Sequence, residues 1–191
     1  MKRFVASIAA AMLLWAAAGG LVRAQETPAA RWTLFLPLMR TASGCALNAQ
    51  EQGVAGGLRD HPDQRRITMR CDARLAEVAR ARAVDMAARG YFGHVTPEGK
   101  GANTLVREAG YPLPAYYGQS LGANNVESIA GGFQTVDEVM AGWLASGEHR
   151  DHLLGLHSFF ASQVDYGIGY AYQAGSPLEH YWVVITAEPG P

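Results

Sequence analysis

A chain of 191 residues is long enough for one domain with a sizeable core and some extra sequence at its front. Its 49% hydrophobic and 17% charged residues are ordinary for a globular protein. The formal charge of −1 gives no electrostatic case for nucleic acid or an anionic membrane surface.

Residues 1–24 read as an export signal. Lys2 and Arg3 make a positive start, Phe4 to Leu21 is an apolar run rich in small residues, and Val22-Arg23-Ala24 predicts cleavage after Ala24. The alternative is an uncleaved anchor helix, since the run is near the ~18–20 residues needed to span a bilayer. Its Ala and Gly content and the cleavage pattern favour removal, so a secreted product with no stable membrane span is expected. That product keeps 13 Lys and Arg against 17 Asp and Glu, a net of −4. Residues 25–44 form an arm in which the apolar stretch Arg31 to Met39 is interrupted by Pro37 and is too short to span. The domain proper is expected at 45–191.

Two cysteines, Cys45 and Cys71, remain in an exported chain, and an even count in an oxidising compartment favours a disulfide between them. Two buried thiols or a metal pair are the alternatives. A lipid anchor on Cys45 is disfavoured because Arg40 breaks the apolar run before it.

Ser43 is placed to cap a first helix through Leu58, with Leu47, Val54 and Leu58 on one face. Residues 59–68 read as a loop. Asp72 caps a second helix whose stripe is Leu75, Val78, Ala79, Ala83, Met86 and Ala87, with Arg74, Glu77, Arg80 and Arg89 outward and Gly90 as the stop. His94 follows in a turn bearing Pro97 and Gly99. A short helix is expected from Asn103 to Ala109, then an irregular loop to Leu121. Asn125 to Ala130 reads as a strand carrying Glu127. Thr135 and Glu138 form a capping box for a helix that buries Val136, Val139, Met140, Trp143 and Leu144. The polar cluster from Glu148 to His152 is expected to be a surface turn pinned between Trp143 and Leu154. Val164 to Tyr172 and His180 to Thr186 read as an antiparallel hairpin, with Gly167 and Gly169 on one face where another element approaches closely.

The central functional expectation is that His94, Glu127 and His149 meet in one cleft. Two neutral imidazoles can bind a divalent ion such as zinc while a carboxylate orients one ring or activates a water. Without metal, the same groups can perform acid–base work. Weighed against this are a turn role for His94 and a structural ion pair between Glu127 and Arg150. His152 and Glu148 read as solvated side chains. No nucleophilic Ser or Cys is evident.

The ordered set of motifs adds a resemblance. Leu75, Ala79, Asp85-Met86-Ala87, Phe92-Gly93-His94, Pro97 and Gly99 fit one known pattern. So do Glu127, Ile129-Ala130-Gly131, Trp143, Ser146, His149-Arg150, Leu153-Leu154 and Gly167-Ile168-Gly169. Over residues 45–187 they resemble the CAP superfamily of cysteine-rich secretory, antigen 5 and pathogenesis-related proteins, and its bacterial SCP-like branch in particular. The resemblance implies an α+β fold, a three-layer α-β-α sandwich with a central antiparallel sheet. It also implies a cleft with His94 and His149 as the family histidines, Glu127 as the glutamate of a Gly-Glu-Asn motif, and often a divalent ion. Ser146 stands where other branches carry a second glutamate, and the resemblance makes the nearby Glu148 its substitute. Val126-Glu127-Ser128 replaces Gly-Glu-Asn, which alters the backbone and removes an amide. The expected occupant is a small apolar or lipid-like ligand, an extracellular protein or a cell-wall component; metal-assisted hydrolysis through His94, Glu127 and His149 is the alternative.

Overall fold

The structure, a computed structural model, describes residues 45–190. The expected signal at 1–24, the arm at 25–44 and the Ser43 cap lie outside the described residues.

The first helix, α1, runs Ala49–Arg59. Among the described residues its cap is Asn48, which forms a reciprocal box with Glu51. Glu51 is fully buried, because Arg80 reaches across to its carboxylate at 2.7 Å; an Arg expected to face out thus holds a Glu that faces in. Cys45 and Cys71 are disulfide-bonded. The bond ties the chain ahead of α1 to the two-residue strand β1 (Arg70–Cys71) and contributes very roughly 3 kcal/mol on the chain-entropy account.

Helix α2 (Ala73–Arg89) follows the expected pattern. The Asp72 carboxylate accepts from the Arg74 and Leu75 N–H groups, and Gly90 ends the helix at φ 67°. Every residue of the expected apolar stripe is buried. Next come α3 (Ala102–Glu108), a 3₁₀ turn at Ala115–Tyr117, strand β2 (Glu127–Gly131), α4 (Val136–Ala145), α5 (Gly147–Leu154), the single turn α6 (Ser158–Ala161), and strands β3 (Asp165–Tyr172) and β4 (His180–Ala187).

The strands pair in the order β1-β3-β4-β2. β2, β4 and β3 are antiparallel, as expected, and β1 joins the edge of β3 parallel to it. Side chains alternate along β4, so each face of the sheet receives its own helical layer. Tyr181, Val183, Ile185 and Ala187 pack with α2 and α3, while Trp182 and Val184 pack with α1, α4 and α5. This is the three-layer α-β-α arrangement. No described helix is long and apolar enough to cross a membrane.

Gly167 and Gly169 let α2 lie directly on β3. A Cβ on Gly167 would collide with the Leu75 and Ala76 backbone, and one on Gly169 with the Ala79 and Arg80 backbone. Backbone cannot step aside as a flexible side chain can, so Gly169→Ala is expected to cost about 2 kcal/mol or more. Urea unfolding measures this, and an unchanged midpoint would refute the close approach.

Candidate functional site

The site grows from a buried charge. Arg82 lies on the inward face of α2, one turn beyond Ala79, and its side chain is 2% exposed. Its Nε donates to Glu127 Oε1 at 2.9 Å and its Nη2 to Oε2 at 3.4 Å. The Glu127 side chain is fully buried at the start of β2. Arg82 also donates to Gly93 O and to the Tyr91 hydroxyl, each at 2.6 Å, and Tyr91 donates on to Asp85 at 2.5 Å. Burial opposes the Arg82 charge, but the hydrogen bond and charge of Glu127 outweigh it and hold the guanidinium pKa above its usual value. Burial first, then the bond to Asp85, pushes the Tyr91 phenol up to about 12. The structural partner of Glu127 is therefore Arg82. Arg150, the partner considered from sequence, is exposed and turned to Leu144 O.

His94 stands in the turn that Arg82 anchors through Gly93. Its Nδ1 lies 3.0 Å from Glu127 Oε2, and its side chain is 41% exposed. A ring nitrogen facing a carboxylate carries the proton, so the neutral ring leaves its lone pair on Nε2. Nε2 has no partner among the described residues. The Glu127 backbone is fixed as well, its N–H and C=O both bonded to the Asn124 amide at 3.1 and 3.3 Å.

His149 arrives on α5. The expected surface turn is instead this helix, for three local reasons. Ser146 ends α4 and starts α5 in extended conformation, Gly155 closes α5 at φ 64°, and Arg66 donates to the last carbonyls at His152 and Leu153. His149 Nδ1 lies 3.0 Å from Ser146 Oγ, which gives Ser146 a role in orienting that ring. Burial, then the neighbouring His94, lowers the His149 pKa. His94, Glu127 and His149 line one cleft of about 420 Å³, together with Glu148 and Asp151. Glu148 is exposed at its edge.

His152, expected to be solvated, is buried at 5% exposure. Its helix packs on the sheet, and the ring spans two strands: Nδ1 to Ser128 Oγ at 2.7 Å on β2, and Nε2 to Thr186 Oγ1 at 2.8 Å on β4. Thr186 donates to Gln163 Oε1, so it accepts from His152 Nε2–H and leaves Nδ1 to accept from Ser128. This neutral chain holds α5, and hence His149, against the strand that carries Glu127. Arg82, Tyr91, Asn124 and His152 all escaped sequence reasoning. For Arg82 a signal existed, since it shares helical spacing with Leu75, Ala79 and Met86.

The sequence pattern of the CAP family, described as the cysteine-rich secretory protein family, matches residues 67–185. The chain belongs to the CAP family. Two solved structures share its fold. One is an outer surface protein of Borrelia burgdorferi, 16% identical, with a TM-score of 0.53 over 73% of this chain and 89% of that one. The other is an extracellular protein of Bacillus anthracis containing an SCP domain, 18% identical, with a TM-score of 0.56 over 73% of this chain. The match spans 40% of the length of the Bacillus protein. No curated protein sequence matches the chain.

Does the donor set of this CAP domain fit a resident metal? Among the described residues no group of three or more His, Cys, Asp or Glu side chains is arranged to hold an ion. His94 and His149 each offer one ring nitrogen. Both Glu127 oxygens are taken, by Arg82 and by His94. Two ring nitrogens with no third ligand grouped beside them, Glu148 and Asp151 included, fall short of the three or four donors that a resident zinc uses. The chemistry below is therefore carried by the side chains themselves.

Burial pushes the His152 pKa from 6.5 down to about 3, with the Arg66 charge adding to it. Between those values the unfolded chain binds a proton there that the folded one does not, so stability is lost as pH falls below 6.5. His149 acts in the same direction. The urea-unfolding free energy is expected to fall with a slope approaching about 1.4 kcal/mol per pH unit as pH drops toward about 5.5, above the range where ordinary carboxylates take up protons. A flat profile over that range would show that His152 does not fold neutral.

Proposed function

We propose that this CAP domain works outside the cytoplasm as a binding module, and that its cleft grips a polar ligand between His94 and His149. The observation carrying this reading is the clamp on Glu127. A carboxylate held by Arg82 at 2.9 Å cannot swing to meet a ligand, so it acts by orienting His94, 3.0 Å away. The oriented ring turns its other nitrogen to the ligand. The lining carries polar groups throughout, with Phe160 the one apolar side chain, and the carbon faces of its rings add apolar contact, which suits an occupant with both polar groups and an apolar face better than a lipid-like one. A divalent ion such as zinc is the weaker form of the reading, because only two protein donors are on offer.

An extracellular place is supported by the Cys45–Cys71 disulfide. The export pattern of residues 1–24 agrees with it. The two structural neighbours are described as an outer surface protein and an extracellular protein. A polar-fragment library screened by ¹⁵N NMR tests the cleft. Fragments are expected to shift the amides of Glu127, Ser128 and residues 147–152, and to lose those shifts in the His94→Ala/His149→Ala variant. Binding that survives both substitutions would sink the reading.

A second reading is favoured by the same pair. His94 backed by Glu127 is the arrangement of an oriented general base, so hydrolysis of a bound ester or peptide is its natural chemistry. Here Glu127 positions the base and does not itself activate water. Glu127→Gln, shown by circular dichroism to remain folded although it leaves Arg82 without its counter-charge, is then expected to remove at least about 99% of turnover on an ester and peptide panel, the low end of the 10²–10⁴-fold worth of general-base catalysis. Absence of turnover in the wild type would dispose of this second reading.

A further inference from the structure

The cleft does not end at His149. A second hollow of about 400 Å³ continues from it, and the two share Asn124, Asn125, His157 and Phe160. Much of the continuation is aromatic. The Phe160 ring lies 6.1 Å from that of His157 and 5.4 Å from that of Phe159, centroid to centroid. Beyond them Tyr116, 63% exposed, stands edge-on to Phe159 at 6.3 Å.

Free hydrogen-bonding groups accompany the rings. Asn125 Nδ2 donates to Tyr117 O at 3.1 Å, which leaves its Oδ1 and second N–H unpartnered among the described residues. His157 Nδ1 accepts from the Phe159 N–H at 3.2 Å. The neutral His157 ring therefore carries its proton on Nε2, a free donor. The hollow thus combines apolar ring faces with one amide oxygen and two N–H groups.

Two kinds of chain fit this lining badly. A peptide adding as a strand would need the outer edge of β2, but that edge is already used: Ile129 O accepts from Trp143 Nε1 at 3.1 Å, and Glu127 N–H and C=O are both held by Asn124. An anionic chain would face the carboxylates of Glu148 and Asp151, which form no ion pair among the described residues, with no Lys or Arg in either lining to offset them. A hydroxyl-rich ring matches on both counts. Its C–H face covers an aromatic ring, and its hydroxyls both donate and accept.

We infer that the ligand is a neutral saccharide chain, with one sugar ring stacked on Phe160 and Phe159 and hydrogen-bonded by Asn125 and His157, and the next reaching His94 and His149. This rests on the proposal that the cleft binds a ligand, and it adds the ligand's chemical class and a second subsite.

Calorimetric and ¹⁵N NMR titrations of the purified protein with chitotetraose, cellotetraose and tetragalacturonate test it. At least one neutral tetrasaccharide is expected to bind and to shift the signals of Asn125 and Phe160, and tetragalacturonate to bind more weakly. Phe160→Leu keeps the apolar volume and loses the ring. It is expected to weaken the neutral sugar at least about tenfold while the domain stays folded by circular dichroism. The exposed His157→Ala variant, which spares the core, is expected to weaken it as well. Preference for tetragalacturonate, or unchanged affinity in both variants, overturns the inference. If neither neutral sugar binds while polar fragments still bind at His94 and His149, the saccharide is wrong and the binding module stands. If sugar binds equally with both histidines replaced, the aromatic subsite stands and the histidine anchor falls.

Discussion

A guanidinium and a carboxylate withdrawn from water hold the cleft together. Arg82 and Glu127 expose 2% and none of their side chains, and desolvation of such ions costs several kcal/mol each. That cost is offset only when nearly every donor and lone pair is used. The guanidinium meets this condition by reaching three segments at once: Glu127 on β2, Tyr91 just past α2, and Gly93 in the turn before His94. The pair is thus less a source of stability than a constraint on arrangement. Removing either partner alone would strand the other charge, at a cost of about 3–5 kcal/mol. Any packing that shifted the His94 turn relative to β2 would incur part of the same penalty.

The glycines of β3 and the arginine of α2 belong to one design. With no side chains at Gly167 and Gly169, α2 settles onto the sheet at Leu75 and Ala79. One turn further along the same face comes Arg82, brought low enough over the sheet to meet a strand carboxylate. A helix held away by a β-carbon would leave that guanidinium short of Glu127. The opposite wall of the cleft is positioned by different means. His152 bridges Ser128 and Thr186 as a neutral, fully bonded ring, so it positions α5 without adding a buried charge. One wall is held by ions and the other by neutral hydrogen bonds, and burial of the neutral His152 ring makes the second sensitive to mild acid.

What could be read from the sequence follows from how local each signal is. The Asp72 cap, the Gly90 stop, the Thr135–Glu138 box and the glycines of β3 act within a few residues or through a fixed period, and all appear as expected. The grouping of His94, Glu127 and His149 came from an ordered set of motifs, not from any local rule. Arg82 and His152 were missed for a common reason. A polar residue on a helix reads as solvated unless its partner is known, and the partners lie 45 residues away in one case and 24 and 34 in the other. Glu51, buried under Arg80 from 29 residues away, is a third instance of the same blindness. The α5 segment reads as a turn from sequence because its polar residues mask the helix; Gly155 closes it, and the donor to its last carbonyls, Arg66, lies 86 residues back in the chain.

The departure at Val126-Glu127-Ser128 can now be weighed in physical terms. Loss of a glycine puts a side chain at Val126, and that side chain is fully buried in the core beneath α2 and α3, where it adds apolar contact. Loss of an asparagine removes an amide beside the carboxylate, yet an amide still serves it from the other direction: Asn124 bonds both the N–H and the C=O of Glu127. Ser128, in the vacated position, faces α5 and anchors His152. The position therefore orients α5 rather than the glutamate. The glutamate is kept in place from behind by Arg82, so a changed motif still presents a fixed carboxylate to His94. Constraint at this site is distributed across the layers of the fold, which is why three neighbouring letters of sequence are a poor measure of whether the cleft is intact.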